Sequence, residues 1–404
     1  MATQQSEQPV QPLVARMRGF GTTIFAEMSA LASRTGAVNL GQGFPDFDGP
    51  QAMLDAAVQA IRDGDNQYPP GPGTQQLREA VAAHQQRFYG QTFDPDTEVV
   101  VTAGATEAVT AAVLALCESG DEVVVLDPLY DSYAAALALA GAIARPVSLR
   151  PGRDGRFTFD EAELRAAFGP RTRLVLLNTP HNPTGTVLTR AELGLIAELC
   201  ERHDVVAVTD EVYEHLVLDG RHVPLATVGA MAARTLQISS AGKSFSCTGW
   251  KIGWACGPAP LVQALMRVKQ YLTYTNGAPF QPAVAVALGL GDGYYDDLVV
   301  SMRSKRDRLR AGLAHAGFGV GASQGTYFVV ADVRAVLERD GSDPDDVDGL
   351  AFCRSLPDRC GVVAVPLQVF YATPGQGRHL VRFTFGKRDD VLDEGIRRLA
   401  ALRG

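Results

Sequence analysis

At 404 residues, with 46% hydrophobic and 20% charged side chains, the chain has the composition of a soluble globular protein long enough for more than one core. Its formal net charge of -8 argues against a nucleic-acid partner, which needs clustered lysine and arginine to displace counterions, and favours small-molecule substrates. Six cysteines without a C-x-x-C pair read as reduced and mostly buried, and no window reaches the roughly 18 apolar residues of a membrane span, so neither a disulfide framework nor a membrane partner is expected.

Residues 1–14 open with a polar, Gln-rich tail that lacks the basic and apolar regions of a secretory signal, so a disordered start and a cytoplasmic protein are expected. Between about residues 95 and 260, short β-branched runs alternate with longer helical patterns, as in parallel strands joined by crossover helices. The expected strands are Glu98–Thr102, Glu122–Leu126, Arg173–Leu177, Val205–Thr209, Thr235–Ser239 and Ile252–Cys256. Each is a nearly continuous apolar run, the pattern of a strand covered by helices on both faces, and together they predict a doubly wound α/β sheet. Beyond about residue 290 a basic helical segment, Ser301–Leu313, precedes strands Thr326–Ala331, Val362–Pro366 and His379–Phe385, which read as a smaller α+β domain. The acidic stretch 339–349 reads as an exposed loop.

Ligands of open α/β sheets sit at the carboxyl ends of the strands, and this rule selects particular residues. The first expected strand runs into Ala103-Gly104-Ala105-Thr106-Glu107, a small-residue turn that opens a helix and suits a phosphate, although such a turn is often only a tight corner. The third runs into Asn178-Thr179-Pro180-His181-Asn182-Pro183-Thr184-Gly185, the fourth ends at Asp210, and the fifth ends at Ser240, three residues before Lys243. A phosphate cradle, a carboxylate, an amide, a tyrosine and a lysine together suit a pyridine aldehyde phosphate, whose aldehyde condenses with an amine and whose ring nitrogen needs an acidic partner. Taken singly, each has a plain alternative: a solvated lysine, an aspartate at a helix N-cap, a turn-forming Asn-Pro, a tyrosine packed in the core.

Asn182-Pro183-Thr184-Gly185, Thr209-Asp210-Glu211-Val212-Tyr213 and Ser240-Ala241-Gly242-Lys243-Ser244-Phe245, followed by Gly249-Trp250-Lys251-Ile252-Gly253-Trp254, resemble the motifs of the class I, fold-type I aminotransferases in order and spacing. The resemblance extends from about residue 15 onward. It implies pyridoxal 5'-phosphate held as a Schiff base on Lys243, with Asp210 on the ring nitrogen, Asn182 and Tyr213 on the phenolic oxygen, and Gly104, Ala105, Thr106, Ser240 and Lys251 around the phosphate. It also implies Tyr130 stacked on the ring, Tyr68 reaching the phosphate of a neighbouring subunit, Arg382 on the substrate α-carboxylate, and Gly43 in the loop Gly41-Gln42-Gly43-Phe44-Pro45-Asp46 that closes over the substrate. The organisation implied is an arm and active-site loop at 15–48 that belongs to the small domain, a large cofactor-binding domain at 49–290 and a small domain at 291–404. A homodimer with shared active sites follows from Tyr68.

Within the family the sequence looks most like enzymes acting on N-succinyl-LL-2,6-diaminopimelate with 2-oxoglutarate, in a branch that also holds kynurenine, glutamine and methionine aminotransferases and cysteine-conjugate β-lyases. A non-catalytic cofactor-binding regulator would need a DNA-binding domain, for which the short polar start leaves no room. Gly321-Ala322-Ser323-Gln324-Gly325 fits the G-x-S-x-G of hydrolases, yet a strand is expected after it where a nucleophile elbow needs a helix. The seven histidines show no H-E-x-x-H spacing, and no metal is expected.

Overall fold

The computed structural model describes residues 13–341, 343 and 346–403. Its strands are β1 (Val38–Asn39), β2 (Val99–Thr102), β3 (Glu122–Asp127), β4 (Ile143–Ser148), β5 (Thr172–Asn178), β6 (Val206–Asp210), β7 (Thr235–Ser240), β8 (Gly253–Cys256), β9 (Gly319–Val320), β10 (Phe328–Asp332), β11 (Val362–Val363), β12 (Val365–Pro366) and β13 (Leu380–Thr384), apart from a small hairpin at Arg150–Pro151 and Phe157–Thr158. Seven of them form one sheet in the order β2-β8-β7-β6-β5-β3-β4. Five of these seven, β7-β6-β5-β3-β4, run parallel to one another, and β8 lies antiparallel to both β2 and β7. The expectation for Ile252–Cys256 is corrected here: a run buried on both faces reads the same in either direction, so composition could not orient it. Edge strand β4 escaped notice because its first four residues alternate between exposed and half-buried and never form an apolar run.

Successive side chains of each strand go to opposite faces. Val123 and Val125 join Val100, Leu174, Leu176, Val208 and Ile238 under helices Gly104–Leu116, Asp131–Ala140 and Ala259–Leu272, whereas Val124, Leu126, Val175, Leu177 and Ala207 pack on the other side. With both faces apolar, the ends of the central strands are fixed by core packing. Register then sets Asn178 beside Asp210, and Asp210 beside Ile238, two residues before Ser240.

The second sheet is antiparallel, in the order β9-β10-β13-β12. Strand β1 returns to this end of the chain and pairs in parallel with β11, Val38 opposite Val362 and Asn39 opposite Val363. The expected strand Val362–Pro366 is thus divided between two sheets. The expected helix over 301–313 is the later part of a 25-residue helix, Asp292–Ala316. Part of the expected loop at 339–349 is helical, since Arg339 ends one helix and Gly349 begins another; 342, 344 and 345 lie outside the described residues, as does most of the 1–14 tail. Ser323 is buried ahead of β10 with its hydroxyl donating to the Phe328 carbonyl, so the G-x-S-x-G stretch has no elbow geometry.

Candidate active site

Strands β5, β6 and β7 deliver their last residues, Asn178, Asp210 and Ser240, into one cavity of about 210 Å³. Gly104, Ala105, Thr106, Tyr130, Asn182, Asp210, Tyr213, Ser240, Lys243, Lys251, Arg382 and Gly43 all line it. Of the residues singled out in the sequence, Tyr68 alone stays away: it is 81% exposed, edge-on to Tyr274 with ring centroids 5.5 Å apart.

One wall is the turn before helix Gly104–Leu116. Gly104 has φ +75°, and a Cβ there would lie 3.2 Å from Lys251 Nζ. Gly253 is held bare by the same turn, since its Cβ would come within 2.6 Å of the Gly104 carbonyl carbon. Glu107 braces the turn by accepting from the Ala103 N–H at 2.6 Å. Lys251 sits in left-handed backbone, φ +54°, with its carbonyl accepting from Asn276 Nδ2 at 2.8 Å. Burial and the neighbouring Lys243 lower its pKa. The wall therefore combines unpaired first-turn N–H groups with an ammonium, a donor set for a dianionic phosphate.

The floor is Asp210, 6% exposed. Its Oδ2 accepts from the Tyr133 hydroxyl at 2.6 Å and its Oδ1 from the Val212 N–H at 3.2 Å. Burial raises its pKa, while these two donors and Lys243 act to lower it. Asn178 Nδ2 donates to the Asp210 carbonyl at 2.8 Å, and Asn178 Oδ1 accepts from the Asn182 N–H at 2.7 Å, so one amide ties both loops together. Lys243 Nζ lies over the rings of Tyr213 and Tyr327, 5.7 and 5.8 Å from their centroids.

The opposite wall comes from the second sheet. Arg382 is 1% exposed and has no carboxylate partner among the described residues; it donates to Asn182 Oδ1 at 2.9 Å and to the Gly41 carbonyl at 3.1 Å, and its Nε is unpartnered. Phe328, Phe25 and Phe370 surround the guanidinium, 3.9, 5.1 and 5.7 Å from its carbon, and burial brings its pKa down to about 10. A buried guanidinium without a counter-anion is poised for a carboxylate. Gly43 completes the wall, because a Cβ there would meet Phe328 at 2.7 Å. Its carbonyl accepts from the Tyr327 hydroxyl at 2.7 Å, and Lys387 Nζ donates to the Phe44 carbonyl at 2.9 Å, which fastens the loop to the second sheet.

Sequence reasoning missed Phe25, Tyr133, Asn178 and Phe328. Asn178 had a signal, as the first polar residue after an apolar strand; Tyr133 had the weaker one of following Tyr130 by about one helical turn. Nothing in their local sequence marks Phe25 or Phe328 as more than core residues.

Comparison with known proteins gives a consistent result. A family model described as "Aminotransferase class I and II" matches residues 35–399. The chain is 55% identical to the probable N-succinyldiaminopimelate aminotransferase of Mycobacterium tuberculosis, over 96% of this chain and 98% of that protein. It is 41% identical to the methionine aminotransferase of Escherichia coli, over 97% and 99%. The solved structure of N-succinyldiaminopimelate aminotransferase from Mycobacterium tuberculosis superposes with a TM-score of 0.92, covering 96% of this chain and 100% of that one.

Proposed function

This chain belongs to the class I and II aminotransferases, pyridoxal-phosphate-dependent enzymes of fold type I, and from that premise we propose that it moves the amino group of N-succinyl-LL-2,6-diaminopimelate to 2-oxoglutarate. The observation that carries the site assignment is the meeting of Lys243, Asp210 and Arg382 in one cavity that the Gly104 turn and Lys251 also line. The residues present fit the cofactor: Gly104 leaves open the space beside Lys251, Asp210 offers a buried carboxylate, and Arg382 keeps an orphaned Nε.

The bound cofactor supplies an electron-withdrawing ring that acidifies the substrate α-carbon. Lys243 would anchor it and would move the proton at that carbon. Asp210 would keep the ring nitrogen protonated, with Tyr133 holding the carboxylate in place and favouring its charged form. Asn182 and Tyr213 would donate to the phenolic oxygen, Tyr130 would pack against the ring, and Gly104, Ala105, Thr106, Ser240 and Lys251 would hold the phosphate. Arg382 grips the substrate α-carboxylate with two parallel donors, and the loop around Gly43 excludes water. Tyr68 serves the site of the partner in a cytoplasmic homodimer, which accounts for its exposure in a single chain. We assign 15–48 and 291–404 to a small domain that carries Arg382 and the loop, and 49–290 to the cofactor-binding domain; the pairing of β1 with β11 supports this division.

The choice of substrate is supported by the 55% identity over nearly the whole chain to a protein of that name. It is tested by a panel of amino donors with 2-oxoglutarate: kcat/KM is expected to be highest for N-succinyl-LL-2,6-diaminopimelate. A preference for kynurenine, glutamine or methionine of about tenfold or more, ~1.4 kcal/mol in the transition state, would reassign the donor.

A further inference from the structure

Directly after Tyr213, the chain turns away from the cavity and meets helix Gln75–Tyr89 in a second group of ionisable side chains. His84 from that helix and His215 bring their Nε2 atoms to 2.6 Å, and with Glu214 the three potential ligand atoms all lie within 4.8 Å of one another. His84 is 2% and Glu214 5% exposed. One carboxylate oxygen of Glu214, Oε1, accepts from Ser239 Oγ at 2.5 Å, and the Tyr89 phenol lies against the same carboxylate. The other, Oε2, is buried with no hydrogen-bond partner among the described residues. Arg87, on the same helix as His84, is engaged by Asp292 and the Leu290 carbonyl.

Three features make this a ligand set. The Nε2 atoms of His84 and His215 face each other at 2.6 Å, too close for both to carry a proton, so at least one already presents a lone pair. An unsatisfied carboxylate oxygen away from water is costly, and a cation held between Glu214 and the two imidazoles relieves that cost. The Gln85 amide lies 3.5 Å from His84 Nδ1 and has its own Oε1 unpartnered, so by turning over it places an acceptor on Nδ1, the outer contact that fixes a ligating imidazole. Two imidazole nitrogens and one carboxylate oxygen match the preference of zinc, whereas magnesium and calcium favour oxygen throughout.

We propose that His84 Nε2, His215 Nε2 and Glu214 Oε2 form a structural site for a zinc-class divalent cation, placed behind the segment that carries Asp210 and Tyr213. Metal–nitrogen bonds of about 2 Å in a tetrahedral arrangement require the two nitrogens to part to roughly 3.3 Å, a small opening of the present 2.6 Å contact. The ion ties helix Gln75–Tyr89 to residues contiguous with Tyr213 and so stiffens the cavity floor from behind. No short motif announces it, because His84 and His215 are 131 residues apart. The expectation of no metal rested on spacing alone, which sees only ligands close in sequence.

The test uses the dimeric, cofactor-bound enzyme, stripped of adventitious metal with a chelator and titrated with Co²⁺ as a spectroscopic probe. One ion per chain is expected, with the intense visible absorption of a four- or five-coordinate ion, lost on addition of Zn²⁺. His84→Gln is expected to weaken binding at least about tenfold while retaining a polar partner for His215. Glu214→Gln gives the same readout should His84→Gln fail to accumulate. A wild-type spectrum showing only weak six-coordinate absorption would overturn the proposal, and so would binding that is unchanged in either variant.

Discussion

Two strands of the large sheet end in a buried aspartate, and their fates differ. Asp127 closes β3, is 0% exposed, and accepts from the Ala372 N–H at 3.0 Å through Oδ1, with Oδ2 unpartnered. Asp210 closes β6 and is almost as buried, yet it faces the cavity and has Tyr133 and Val212 as donors, one for each carboxylate oxygen. Burial raises both pKa values, that of Asp127 to about 6. What separates them is the supply of donors to the ionised form: Asp127 has one backbone N–H, whereas Asp210 has two donors and a lysine nearby. A strand-end acid becomes a candidate for chemistry where several donors favour its charged form and an open volume lies in front of it.

The comparison is broken most forcefully by exchanging each acid for its amide. Asp210→Asn is expected to lower kcat by about 10³-fold or more, a loss of about 4 kcal/mol in transition-state stabilisation, whereas Asp127→Asn leaves kcat within about threefold; steady-state kinetics on both variants decides it. Next in size, Arg382→Lys replaces a planar fork by a point charge in the aromatic cage, and kcat/KM for amino donors is expected to fall about 10²-fold, mostly through KM. Tyr133→Phe sharpens the account of what opposes the effect of burial at Asp210. The Tyr133 hydrogen bond lowers the Asp210 pKa, so its removal raises that pKa, and the acidic limb of the pH–rate profile is expected to move to higher pH with about a tenfold loss of rate near neutrality.

The smallest effect concerns stability. The folded-state pKa of Asp127 is raised from 3.8 to about 6, so the native state holds the proton more tightly than the unfolded chain, and this group makes stability fall as pH rises from about 4 to about 6. Denaturant titrations across that range are expected to show the decline in the wild type, at most about 3 kcal/mol, and to lose it in Asp127→Asn.

The sheet and the cavity floor were legible in the sequence for the same reason. Strands buried on both faces announce themselves as apolar runs, and such a sheet places its ligand where those runs end, which points to Asn182, Asp210 and Ser240. Orientation was not legible, because β8 has the same composition as its parallel neighbours, and β4 was hidden by its exposed edge. The far wall was legible only through resemblance. Arg382 lies inside strand β13 with nothing local to separate it from a surface ion pair, and its setting depends on Phe25, Phe328 and Phe370, which come from distant parts of the chain. The contact of Tyr133 with Asp210 needed three-dimensional structure, since a helix surface and a strand end meet only in the fold.

The central claim is that Lys243 is the cofactor lysine. Borohydride reduction of the cofactor-bound enzyme followed by peptide mapping by mass spectrometry tests it most directly: the pyridoxyl phosphate mass is predicted on the peptide that contains Lys243, with loss of the visible cofactor absorbance. Label on Lys251, Lys269 or any other lysine, or a protein that binds the cofactor without becoming labelled, would contradict it.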